Sequence, residues 1–197
     1  MGICESKPHN AYQEHKNPDP KGEIYELYSC LIKIVKNNQT IVGFCTRFFC
    51  EINDNNIPFK KALFTNNHIL NKISIAINKE IIFENCGQKK RIKITKNRRV
   101  FTNEELGYTC IEIFDTDNIN KFFHIDKTIF NNKDELINKE IFILQYPHGG
   151  ELEFCAGIII DIKDNKIKHN VFTEEGLSGS PLIKRYNTNL VIGIHFG

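Results

Sequence analysis

The sequence predicts an all-β protein. Two observations carry this: apolar residues recur with period two over short segments, and those segments are rich in β-branched residues, which favour strands over helices. Seven segments fill the first part of the chain. They run at Tyr28–Val35, Thr40–Ile52, Lys60–Phe64, Ile73–Asn78, Glu80–Phe83, Arg91–Thr95 and Tyr108–Phe114. Ile73-Ser74-Ile75-Ala76-Ile77 and Arg91-Ile92-Lys93-Ile94-Thr95 alternate strictly. Asp115 to Asp126 breaks the pattern and reads as a connection. Five further segments follow at Ile141–Gln145, Leu152–Ile162, Lys166–Phe172, Pro181–Arg185 and Leu190–Phe196. Before the first strand, the stretch to Gly22 carries Pro8, Pro18 and Pro20 and reads as a flexible tether.

Composition fits one globular unit of modest size. The 197 residues are 41% hydrophobic and 25% charged, too few for two large domains. A net charge of +2 makes no case for a nucleic-acid partner. The basic clusters Lys89-Lys90-Arg91 and Lys96-Asn97-Arg98-Arg99 read as solvated turns and strand faces. There is no internal repeat and no apolar run of the roughly 18 residues that a membrane-spanning helix needs. No secretory signal precedes the seven cysteines. Cys30, Cys45, Cys50, Cys86, Cys110 and Cys155 fall mostly in apolar strand contexts, where a free thiol behaves as a small hydrophobe. None has C-x-x-C spacing, so no metal and no cofactor is expected. The setting that fits is reducing and intracellular.

Two motifs far apart carry the chemistry. Leu63-Phe64-Thr65-Asn66-Asn67-His68-Ile69-Leu70 places a histidine at the end of an apolar strand. Glu175-Gly176-Leu177-Ser178-Gly179-Ser180-Pro181-Leu182 places a serine in a glycine-rich turn. A serine hydroxyl attacks a carbonyl usefully only when a base takes its proton, and histidine has the right pKa. The oxyanion that follows needs preorganised N–H donors. Glycine before the serine lets the backbone aim two amides at one spot, which makes Gly176 and Ser178 the candidate donors. The plainer reading is a serine- and glycine-containing turn between two strands.

Together these motifs resemble a chymotrypsin-fold, trypsin-like serine peptidase over most of the chain, from about Tyr28 to the end. Val42-Gly43-Phe44-Cys45, Gln145-Tyr146-Pro147 and Val191-Ile192-Gly193-Ile194-His195-Phe196-Gly197 resemble its G-x-G-F, G-Y-P and pocket-lining segments. Within that group the sequence looks most similar to the glutamyl endopeptidase type, with its T-x-G-x-S-G-S-P and G-I-H-W-G motifs. The resemblance implies two antiparallel, six-stranded β-barrels with the active site between them. Residues 24–114 would form the first barrel, 115–126 the inter-barrel connection and 127–197 the second barrel, behind a leader at 1–23. Such barrels continue past G-I-H-x-G, so the second is expected to lack its last strand and expose an edge. Secreted trypsins carry a cysteine after the histidine; Ile69 stands there, in keeping with an intracellular setting.

The resemblance makes His68 the general base, Ser178 the nucleophile, and Gly176 with Ser178 the oxyanion hole. It also expects an aspartate at the head of the strand Leu106-Gly107-Tyr108-Thr109-Cys110-Ile111-Glu112-Ile113, where Gly107 stands. A glycine cannot accept the histidine's N–H, so the rate should suffer. Glu104 or Glu105 would substitute if their loop folded back; the alternative is two exposed glutamates on a turn. Aspartate at position 107 should raise activity by orders of magnitude.

The same resemblance assigns Thr173, five residues before Ser178, and His195 to a pocket for a P1 glutamate or glutamine. A hydroxyl and an imidazole suit such a group by hydrogen bonding. Phe172 stands where trypsins carry their pocket aspartate, which argues against a Lys or Arg preference. Glutamate should gain over glutamine as pH falls toward the pKa of the pocket histidine. Against this, His195 reads as a half-buried strand histidine with no ligand role.

Met1-Gly2-Ile3-Cys4-Glu5-Ser6 matches the N-myristoylation pattern on Gly2, and Cys4 is a second acylation candidate. One acyl chain binds membranes marginally, so the second would matter. The chain is thus expected to be a serine endopeptidase acting on peptide or protein substrates, in the cytoplasm or on the cytoplasmic face of a membrane. The rival is a catalytically inactive homologue that binds peptides or proteins through the same cleft.

Overall fold

A computed structural model describes residues 2–6, 29–36, 40–53, 58–70, 80–85, 88–149, 151–174, 177–185 and 190–196. Nearly all the regular structure is strand. The first part of the chain gives β1 (Gly2–Ser6), β2 (Ser29–Lys36), β3 (Thr40–Glu51), β4 (Lys61–Asn66), β5 (Glu80–Asn85), β6 (Gln88–Lys93), β7 (Val100–Asn103) and β8 (Tyr108–Glu112). The second gives β9 (Phe123–Ile125), a single turn of helix α1 (Thr128–Asn131), β10 (Glu140–Gln145), β11 (Glu153–Lys163), β12 (Lys166–His169), β13 (Pro181–Lys184) and β14 (Leu190–His195). The expected strand Ile73–Asn78 lies outside the described residues.

The all-β expectation is borne out, and the pairings show how the strands are laid. β3 is the hub of the first part, joined to β2, β4 and β9, while β4 continues through β8 to β7 and β2 through β5 to β6. Among the described residues no rung joins β6 to β7, so closure of this half into a barrel is not seen. In the second part β12, β11, β10, β13 and β14 are neighbours in that order.

Two differences from the sequence reading matter. The edge expected to lie bare beside β14 is occupied. β1 pairs in parallel with β14, from Gly2↔Gly193 to Cys4↔His195, and with β12, from Ile3↔Lys166 to Ser6↔His169. Gly2–Ser6 are therefore a strand of the sheet and not part of a free leader. The pairings β1–β12–β11–β10–β13–β14–β1 form a circuit that leaves none of these six strands with an unpaired side. The expected connection 115–126 also contains structure. β9 is only three residues long, but Phe123 is fully buried and packs edge-on against Phe48 at 6.2 Å. That anchor lets β9 pair with both β3 and β14 and join the two parts of the sheet.

The core follows from alternation. Phe49, Leu63, Ile81, Phe83, Ile92 and Ile111 form one apolar cluster from the first part of the chain. Ile141, Ile143, Ile159, Ile167, Leu182 and Ile192 form another from the second. A third draws on both, with Phe48, Phe64, Phe123, Phe142, Ile183 and Ile194. Cys45, Cys50 and Cys110 are buried free thiols within this interior, as their apolar contexts lead one to expect. The basic cluster at 96–99 is only partly the solvated turn it reads as. Arg98 is buried, pairs with Asp117 at 2.7 Å and lies over the Phe114 ring at 4.2 Å.

Candidate active site

The two motifs meet on one atom. The carbonyl of His195, at the end of β14, accepts the N–H of Gly179 at 3.0 Å and the side-chain amide of Asn66 at 2.9 Å. Gly179 follows Ser178, and Asn66 precedes His68 by two residues. One backbone oxygen thus ties the serine turn to the histidine turn. The serine turn is shaped by a hydrogen bond from Ser180 N–H to Leu177 O at 2.9 Å and held to β14 by His195 N–H to Ser180 O at 2.8 Å. Gly179 is required there on two grounds. Its φ is +92°, and a Cβ would run into the Thr46 carbonyl and lie 3.2 Å from Arg47 Nη1.

The histidine turn is braced from behind. Asn67 N–H donates to Gly107 O at 2.7 Å, and its side-chain amide donates to Thr102 Oγ1 at 2.9 Å. Thr102 and Thr109 share a short hydroxyl contact, and Thr109 donates to Leu70 O at 2.8 Å. These bonds fix residues 66–70 against the β7–β8 hairpin and leave His68 itself exposed. Among the described residues no hydrogen bond joins His68 to Ser178. In unliganded sites of this kind that bond is often long and tightens only around substrate.

The third position holds no carboxylate. Gly107 is buried with φ +65°, and a Cβ there would collide with Phe196 Cε2 and lie 2.7 Å from Cδ2. The same Phe196 ring meets His68 edge-on at 5.7 Å. Phe196 therefore lies against both Gly107 and the imidazole. Glu104 and Glu105 are exposed on the turn before β8, the second of the two placements left open by the sequence.

The charge near His68 has the opposite sign from the one a triad supplies. Arg47, on β3, is fully buried; it donates to Thr46 O at 3.2 Å and to Cys45 Sγ, and its Nε has no partner. His68 is open to solvent on one side only; the partial burial of its ring and then the Arg47 cation both lower its pKa. The neutral imidazole that results is available as a base, but the imidazolium it must become is disfavoured.

Of the remaining sequence candidates, Gly176 lies outside the described residues. Thr173 is partly exposed on the segment after β12, and Phe172 is 58% exposed. His195 is buried, and burial holds its pKa at about 4. It stays neutral at ordinary pH, which moves the expected gain of glutamate through its protonation down to about pH 4. His195 also has a neighbour that the sequence reading missed: His169, its ring 5.6 Å away. Arg47, Asn66, Asn67 and Phe196 were likewise missed. Arg47 alone left a plain signal, a cation inside Phe44-Cys45-Thr46-Arg47-Phe48-Phe49.

No family model and no curated protein matches the sequence. Solved structures do match the fold. The chain is similar to the Rv3671c protease of M. tuberculosis in an inactive form, at 14% identity and a TM-score of 0.64, over 97% of this chain and 88% of that one. It is also similar to the serine endoprotease from Yersinia pestis, at 14% identity and a TM-score of 0.61, over 88% of this chain and 56% of the other. The HtrA-type protease AlgW, solved with a tripeptide, gives 15% identity and a TM-score of 0.61 over 90% and 54%. This chain spans a little over half the length of the last two. The fold is that of trypsin-like serine proteases.

Proposed function

We propose that the chain is a serine endopeptidase that cleaves peptide or protein substrates with His68 as base and Ser178 as nucleophile, at a rate reduced by Gly107. The observation that carries this reading is the joint anchoring of the two turns on the His195 carbonyl. Random surface turns have no reason to be held together in this way. Ser178 N–H and Gly176 N–H would supply the oxyanion hole. Thr173 and His195 would bind a P1 glutamine or glutamate, in keeping with the resemblance to the glutamyl type. The second reading, an inactive homologue that binds peptides, is favoured by Phe196 against Gly107 and by Arg47 beside the base. A fluorophosphonate probe separates the two. Slow labelling that Ser178→Ala abolishes supports the enzyme; no labelling of a folded protein over hours supports the binding module.

We also propose acylation at Gly2, with Cys4 as a second site, and residence in the cytoplasm or at the cytoplasmic face of a membrane. The expected result is that Gly2→Ala moves the protein from the membrane to the soluble fraction of a eukaryotic cell. Equal fractionation of the two forms would leave β1 with a purely structural role.

A further inference from the structure

The first strand brings Gly2 to one end of the second part of the fold. β1 runs parallel to β12 from Ile3↔Lys166 to Ser6↔His169, so Gly2 lies towards the turn Asp164-Asn165 that precedes β12. Against β14 it runs from Gly2↔Gly193 to Cys4↔His195, so Gly2 also lies towards the start of that strand. The segment 126–136 is fastened at this same end. Asp126 N–H donates to Val191 O at 2.9 Å, two residues before Gly193. Lys133 Nζ donates to Asn165 Oδ1 at 3.3 Å, in the turn before β12. The serine turn is held at the other end of β14, where His195 O accepts Gly179 N–H.

Between those two fastenings, α1 holds an aromatic ring out in water. The Asp126 carboxylate accepts Thr128 N–H at 2.9 Å and the Thr128 hydroxyl at 2.8 Å, and it pairs with Lys184 at 2.9 Å, which fixes the entry to the turn. Ile129 and Leu136 then pack into the apolar cluster of Ile159 and Ile167. With those two inside, Phe130 is left 57% exposed. One exposed phenylalanine is ordinary by itself. This one stands at the end of the fold where Gly2, the residue of the acylation motif, is held in the sheet. The charges exposed around it, on Lys127, Lys163 and Lys166 and on Asp134, Glu135 and Asp164, are of both signs.

We infer that this end of the fold is a membrane-contact surface, at which an acyl chain on Gly2 and the Phe130 ring enter the same lipid interface. This rests on the acylation of Gly2 proposed above and adds the surface and a second anchor that does not depend on Cys4. One acyl chain holds a protein to a bilayer only marginally, so a second apolar group on the same face decides whether it stays. Docked β1 makes the two act together, because the acyl chain begins at a residue held in the sheet and not at the far end of a tether. Acylation also suits the docked strand: it replaces a charged ammonium beside Gly193 with a neutral amide. Charges of both signs fit a lipid interface in general rather than a strongly anionic one.

The test is sedimentation with phosphatidylcholine vesicles of the full-length protein, coexpressed with an N-myristoyltransferase and its acyl group verified by intact mass. Phe130→Ser should weaken binding about tenfold, the worth of one aromatic side chain returned to water. Phe172→Ser, at a ring 58% exposed beyond the other end of β12, should leave it unchanged. Adding about one-fifth phosphatidylserine should change wild-type binding about threefold or less. Ile3→Pro removes an N–H from β1 and frees the strand from its neighbours. In that background, in a protein that still melts cooperatively, Phe130→Ser should cost only about twofold, because the two anchors no longer share a rigid face. Equal binding by wild type and Phe130→Ser, an equal loss in Phe172→Ser, dependence on phosphatidylserine, an undiminished Phe130 effect beside Ile3→Pro, or Phe130-dependent self-association without lipid would each overturn the inference. A mass without the acyl group fails the acylation of Gly2 itself before any vesicle is added, so the two failures are distinguishable.

Discussion

Replacing Gly107 by aspartate and Phe196 by alanine together is expected to raise the fluorophosphonate labelling rate and kcat by about three orders of magnitude. The aspartate alone is expected to gain little. In trypsin-like sites the carboxylate fixes the imidazole tautomer and stabilises the imidazolium; changing it to asparagine in trypsin itself costs about 10⁴ in kcat. Here that support is missing, and Arg47 pushes His68 further from protonation. A side chain at 107 cannot simply be added, because a Cβ meets the Phe196 ring and the backbone lies at φ +65°. Aspartate tolerates the left-handed region better than most residues, at a cost of about 1 kcal/mol. The ring is the larger obstacle, and Phe196→Ala removes it. The control is Phe196→Ala alone, which vacates the space without filling it and should remain slow. If the double variant folds and labels no faster than that control, orientation of His68 is not what limits the site.

How much of this could be read from the sequence depends on the range of the interaction. Alternation in segments such as Lys60–Phe64 and Ile141–Gln145 is local, and β4 and β10 fall within a residue or two of where it places them, whereas Arg91–Thr95 meets β6 over only its first three residues. The ends are less legible because side chains decide them. β12 stops at His169 and does not run to Phe172: just beyond it the Ile158 N–H is taken by the Asn170 side chain and the Val171 N–H by the His169 ring. β9 was invisible because three residues carry no period; Phe123 earns its place only through Phe48, far away in sequence. The pairing of β1 with β12 and β14 joins the two ends of the chain, which no window along the sequence can detect.

The site shows the same division. His68, Ser178 and Gly107 were found because the motifs around them are short and distinctive. Asn66, which carries the contact between the two turns, looks in sequence like one polar residue among many in an asparagine-rich chain. Phe196 looks like an ordinary aromatic in a strand, and only its distance to Gly107 and His68 gives it a role. His169 was not singled out, although the alternation of Lys166-Ile167-Lys168-His169 does point it inward. What the pattern could not say is that another imidazole waits there.

Acid should unfold this protein early, and the buried pair His169–His195 is the reason. Both pKa values are held at about 4, by burial in each case and, for His169, by His195 as well. In the unfolded chain each would titrate at about 6.5. Between these values the unfolded state binds protons that the folded state refuses, so stability falls as pH falls. The contribution is fully present above about pH 6.5, declines through the window and levels off below about 4. At pH 5 the linkage relation gives a loss of about 2 kcal/mol for each histidine. Because the rings face each other at 5.6 Å, protonating one further opposes the other, and the two titrate as a pair. A combined loss of about 4 kcal/mol is most of the stability of a domain at the low end of the usual range. Asp126, whose pKa is lowered by its Lys184 and Thr128 hydrogen bonds against burial, acts only below the carboxylate range and cannot produce a loss at pH 5. Urea unfolding at pH 7.5 and pH 5 measures the effect directly. His169→Gln and His195→Gln should each start lower at pH 7.5 but lose about half as much on acidification. A wild-type midpoint that does not move between these pH values would mean that the two imidazoles are not held neutral inside the fold.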